Sequence, residues 1–135
     1  MTDATMLLGR LLLSTIFIWG GWGKMIAMAA TVGYFAKIGL PVPEVAWGVA
    51  VFAELVVGVA LLVGLFSRAS ALVLAVWCIA TALVAHTNFA DRLQEINFLK
   101  NIVMTGGLLY VVAFGAGAFS LDAMIGRRRP VAVVA

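Results

Sequence analysis

The sequence predicts an all-α fold, a four-helix transmembrane bundle, on three observations. Of its 135 residues, 64% are hydrophobic and 11% charged, whereas water-soluble domains average about a quarter charged. The apolar residues gather into four segments of membrane-crossing length, separated by short connections that carry Pro, Gly and charge. The most apolar segment, residues 45–65, has a single ionisable residue, Glu54, near its middle. A helix of that length reaches about 31 Å, roughly the thickness of a bilayer's hydrocarbon core. A carboxylate facing lipid there costs a few kcal/mol, in order of magnitude, so Glu54 is expected to face inward and marks a functional site. Ala50, Glu54 and Gly58 fall at i, i+4, i+8, so small residues flank the acid and let another helix come close.

The elements follow in order. Residues 6–30 give the first span, with Arg10 and Lys24 roughly 21 Å apart along the axis, each able to snorkel toward its own interface. A cleaved signal peptide with residues 27–29 as its cleavage site is the alternative, disfavoured by Asp3 and by the lack of a following soluble domain. The run from Trp19 to Lys24 holds three glycines and two tryptophans, which predicts a kink or a close backbone approach near an interface. Residues 31–44 read as a connection broken by Gly39, Pro41 and Pro43, its Tyr34 and Phe35 lying on the membrane surface. After the Glu54 span comes a tight turn over residues 64–68, then a third span over 69–85. Ser70, Cys78, Ala82 and His86 share one stripe of it. Residues 86–97 form the second long connection, which must reach water because it holds Asp91, Arg92 and Glu95. The fourth span covers 98–119, with Lys100 near its entrance and a polar stripe of Asn97, Asn101 and Thr105 turned to other helices. Residues 1–126 form one domain and 127–135 a basic, flexible cytoplasmic tail.

Charge sets the orientation. Arg10, Arg68, Arg127, Arg128 and Arg129 share one side; Lys24, Lys37, Arg92 and Lys100 share the other, offset by Glu44, Asp91 and Glu95. The positive-inside rule then places both termini in the cytoplasm of a multi-pass inner-membrane protein. The net charge of +3 and its terminal arginine cluster point to membrane anchoring, not nucleic acid. Lipid is the expected neighbour. One cysteine, Cys78, excludes an intrachain disulfide and a CxxC pair, and reads as an ordinary small core residue.

The candidate site gathers Glu54, Lys24, Lys100, Asn101, His86 and Arg10 as a polar pocket within the bundle. Glu54 serves as counter-ion to a lysine or histidine, and Lys100, Asn101 and His86 line the mouth. The competing reading lets Arg10, Lys24 and Lys100 snorkel while a neutral Glu54 bonds to a hydroxyl or backbone group. His86, the only histidine, suits a proton relay or a hydrogen bond to a quinone carbonyl, or is a plain interface residue. One chain therefore cannot hold a haem between two histidines, nor an iron–sulfur cluster, and no metal set is evident. Any redox role needs a diffusible cofactor, most plausibly a quinone, or electrons from a partner protein.

Several pieces in order resemble the DoxX family of small four-helix bacterial inner-membrane proteins, over about residues 8–122. They are Arg10 at the first span; GWGKM with Lys24; Phe35 and GLPVP; AELVVGVALLVGLFSRASAL with Glu54, Gly58, Gly64 and Arg68; His86; FLKNIVMTGGLLYV with Lys100 and Asn101; and GAGAFSLD. The resemblance implies a membrane subunit of a redox or stress system, as in thiosulfate:quinone oxidoreduction, acting as a homo-oligomer or with a redox partner. No motif for thiosulfate oxidation is present, so the chain reads as a subunit without a catalytic motif of its own, with a quinone-type pocket around Glu54. A dimeric proton-coupled transporter of a small or cationic solute is the alternative, suggested by the mid-membrane acid and by Trp19, Trp22, Trp47 and Trp77. A purely structural subunit is the third reading.

Overall fold

A computed structural model describes residues 2–127. The expected arginine tail therefore lies, beyond Arg127, outside the described residues. Four helices are long and apolar enough to cross a membrane: Thr2–Ile26, Pro43–Val63, Ser67–Ala85 and Arg92–Phe114. The first is α1; the second divides into α3 (Pro43–Val51), a π-helical turn (Phe52–Val57) and α4 (Gly58–Val63). Ser67–Ala85 is α5 and Arg92–Phe114 is α6, while α2 (Met28–Lys37) and α7 (Leu121–Arg127) are short. Among the described residues there is no strand. Large apolar side chains such as Leu12, Val56, Val76 and Val103 are exposed on all four spans, as lipid-facing surfaces require and water-facing ones forbid.

The spans pack through small residues. α5 buries Ser67, Ser70, Ala71, Leu74, Ala75, Cys78 and Ala82, and its most extensive partner is α6. Small residues let the backbones approach closely, and the van der Waals packing this allows helps hold helices together in lipid, where burying apolar surface gains little over the acyl chains. α1 presents Arg10, Ser14, Phe17 and Gly21 on one stripe toward the second span. Phe17, Leu61, Leu74, Cys78 and Leu108 fill the bundle's centre. The filled core sits toward the Arg10 end; the Lys24 end is open.

Several boundaries differ from the sequence expectation. α1 stops at Ile26, and the chain bends at Ala27 (φ −110°, ψ 45°), not within the glycine-rich stretch. The expected 31–44 connection is in large part helix α2, since nothing in its first half breaks a helix; it ends at Gly39 (φ +83°) ahead of Pro41. α6 begins at Arg92, six residues before the expected span, because Asp91 caps it by accepting from Leu93 N at 2.9 Å and Arg92 pairs with Glu95 at 2.8 Å. It ends at Phe114, where Gly115 (φ +80°) leaves helical geometry.

A clasp closes the end opposite the opening. Arg10 is buried, and donates to three carbonyls: Leu62 O at 3.1 Å, Ala116 O at 2.6 Å and Phe119 O at 2.7 Å. Leu62 belongs to the last turn of α4, whose carbonyls lack intrahelical donors, and the other two lie in the irregular segment after α6. Non-helical backbone at membrane depth needs such partners. Asp122 completes the clasp: its carboxylate accepts from Phe66 N and Ser67 N, both at 2.8 Å, and from Ser67 Oγ at 2.6 Å, capping α5 from another helix. Gly64 (φ +73°) makes the turn, and a Cβ there would lie 2.5 Å from Ser120 Cβ, so only glycine fits.

Candidate functional site

Glu54 lies in the π turn, inward and 8% exposed. A π turn widens the helix and is costly in isolation, and such turns recur where a side chain must be aimed at a site. Here the acid meets a basic residue on another span: Lys24 Nζ donates to Glu54 Oε2 at 2.6 Å. Trp77 Nε1, on α5, donates to the other oxygen, Oε1, at 3.1 Å. Three spans therefore converge on one carboxylate, and its cost in a low-dielectric interior is offset by one charge and two donors.

The glycines before Lys24 make this possible. A Cβ on Gly21 would come within 2.7 Å of Leu55 N, and one on Gly20 within 2.9 Å of Glu54 Oε2. The helix is continuous through both residues, and close approach is what the glycine cluster provides. Trp47 Nε1 then donates to Lys24 O at 2.8 Å, fastening α3 to the last turn of α1.

Beside the pair opens a cavity of about 730 Å³. Its deep walls are apolar, including Ile16, Phe17, Val49 and Met104. Five of the six residues expected at the site line this one space: Glu54, Lys24, Lys100, Asn101 and His86. Asn101 is buried and donates to Asn97 O at 3.1 Å, which accounts for the polar stripe on α6. His86 ends α5, and its Nδ1 lies 2.7 Å from Gln94 Oε1; as that oxygen accepts, Nδ1 carries the proton and Nε2 is left as an acceptor in the neutral ring. The sixth residue, Arg10, lies in the clasp and not in the cavity wall, because backbone carbonyls at the other end take its donors.

α2 covers the cavity, contributing Thr31, Tyr34 and Phe35 to its lining. None of its residues is buried, and among the described residues its hydrogen bond to α5 is a long one, Tyr34 Oη to Ala85 O at 3.4 Å. Two site residues escaped the sequence reading in these roles: Trp77, counted only as a possible π face, and Tyr34, taken as a surface anchor. The signal for Trp77 was its depth. A tryptophan at mid-span, away from the interfacial belt, needs an acceptor for its N–H.

Comparison with known proteins adds lineage. The chain is similar to the inner membrane protein YqjF of Escherichia coli (strain K12), 33% identical over 126 residues that cover 93% of this chain and 95% of that one. It is also similar to the inner membrane protein YphA of the same strain, 34% identical over 122 residues and 87% of each chain. No solved structure matches. The DoxX family model matches residues 5–87, which include Lys24, Glu54, Trp77 and His86. With that match, and relatives aligned along nearly its whole length, the chain belongs to the DoxX family.

Proposed function

We propose that this membrane protein binds an apolar-bodied small molecule of quinone type in the cavity beside Glu54, as part of a redox or stress-related system. The observation that carries the reading is a cavity of about 730 Å³, apolar in depth, opening at the Lys24–Glu54 pair. Ligand pockets run from about 300 to 1,000 Å³ and combine apolar walls with a few convergent polar groups. A ring head at the polar mouth and an isoprenoid-like tail along Ile16, Val49 and Met104 suit that layout. Having one histidine and one cysteine, the chain would exchange electrons through the quinone itself or a redox partner, and we assign it no reaction of its own. We place both termini in the cytoplasm, so that the cavity opens toward the outer face.

The test is titration of the purified chain in nanodiscs with decylubiquinone, read by quenching of tryptophan fluorescence. Trp77 sits on the cavity wall, so saturable quenching is the expected result. Its absence, together with a wild-type redox-stress response in a Glu54→Gln strain, would overturn the reading.

A further inference from the structure

We infer that the cavity recognises its ligand's head through two ammonium groups, Lys24 and Lys100, and so selects amphiphiles whose head presents oxygen acceptors, whether carbonyl or carboxylate, over cationic ones. This rests on the binding reading above and adds the atoms that do the recognising. What matters is which charged donors remain free; the neutral amides of Asn97 and Asn101 also line the cavity. Both oxygens of Glu54 are engaged, by Lys24 and Trp77. The hydroxyl hydrogen of Thr31 goes to Ala27 O, and that of Thr81 is shared between Trp77 O and Cys78 O. Tyr34 points its hydroxyl at Ala85 O, and His86 Nδ1 gives its hydrogen to Gln94. An ammonium has three N–H groups. Lys24 gives one to Glu54 and, 30% exposed at its side chain, keeps two for the cavity. Lys100 lines the same space and, among the described residues, makes no hydrogen bond or ion pair.

Charge points the same way. The lining has Lys24 and Lys100 against Glu54, a net positive wall when His86 is neutral. A cationic head would meet two like charges and one carboxylate already paired with Lys24. An acceptor head meets charged donors, the stronger class of hydrogen bond. Glu54 is then a positioning residue: it holds the Lys24 ammonium at the cavity wall.

The experiment compares decylubiquinone, dodecanoate and dodecyltrimethylammonium on the full chain in phosphatidylcholine nanodiscs, with empty nanodiscs as blank. Expected are saturable binding of the first two and at least tenfold weaker binding of the third. Lys100→Gln should weaken dodecanoate about tenfold and decylubiquinone severalfold. Because Lys24→Gln alone strands Glu54, the neutral pair Lys24→Gln with Glu54→Gln is used, and the same ordering is expected. Lys37→Gln, outside the cavity lining, should change nothing. Equal or tighter binding of the ammonium amphiphile overturns the inference. So does quinone or dodecanoate binding that ignores both lysine variants, although the cavity reading then survives. If none of the three amphiphiles binds, both fall.

Discussion

A charged side chain buried within a membrane span persists only where partners offset its loss of hydration, and Arg10 and Glu54 meet that demand in different ways. Arg10 spreads a rigid fork over three backbone carbonyls, a geometry that the single point charge of lysine cannot reproduce. Arg10→Lys should therefore cost about 2–3 kcal/mol in reversible denaturant unfolding in micelles, since a buried carbonyl loses its donor at about 1–3 kcal/mol each. The folded fraction should bind decylubiquinone as the wild type does, because Arg10 is absent from the cavity wall. Glu54 and Lys24 depend on each other. Either single apolar replacement strands a charge, whereas replacing both with methionine leaves none. A double-mutant cycle on unfolding should show coupling of about 2 kcal/mol, with the double variant more stable than Lys24→Met. Equal stabilities of all three variants would deny the pair any role in holding the bundle.

At the scale of elements, the junction of α4, α5 and α7 hangs on Asp122. Burial pushes its carboxyl pKa up, but the Ser67 hydroxyl and amide, the Phe66 amide and the nearby Arg10 charge outweigh this and leave it below the usual carboxylate value. A carboxyl depressed in the folded state favours folding above its ordinary pKa, and that contribution fades as pH falls through the native value. Asp122→Ala should cost about 1–2 kcal/mol near neutrality, as losing a helix cap does. The gap to wild type should narrow below about pH 4, which thermal unfolding across pH measures. The same carboxylate holds Phe66 at φ +46°, a left-handed backbone that a bulky residue adopts only when its surroundings insist. Here the sequence was legible in part. Apolar runs and prolines located four spans, and mid-depth Glu54 marked the carboxylate beside which the cavity opens, because both follow from local composition. Asp122 reaching across to Ser67, the π turn, and Arg10 turning to carbonyls more than 100 residues away were not legible, since they arise from tertiary contacts that leave no periodic trace. α2 escaped for another reason: a ten-residue helix too short to span resembles a loop when flanked by Gly39 and Pro41.

The whole molecule is built asymmetrically along its long axis. One end is a clasp in which Arg10 and Asp122 tie the spans to the segment after α6, around the tight turn at Gly64. The other splays around the cavity under a loosely tied α2. Lys24, Lys37, Arg92 and Lys100 lie toward the open end, while Arg10, Arg68 and Arg127 lie toward the clasp, with Arg128 and Arg129 following in the sequence, five basic residues to four. The side richer in Lys and Arg is retained in the cytoplasm during insertion, so the clasp should face inward and the cavity outward. Single cysteines report this directly, because native Cys78 is fully buried and gives no background. Asn88→Cys, in the exposed connection between α5 and α6, should react with a membrane-impermeant maleimide on intact Escherichia coli cells. Gly126→Cys, on α7 with open space around its Cβ, should react only after the cells are broken. The reverse pattern would turn the cavity toward the cytoplasm and require the ligand to arrive from that side. With the expected pattern, impermeant head-group analogues added outside intact cells should protect a cysteine placed at Thr31, on the cavity lining, from the same reagent.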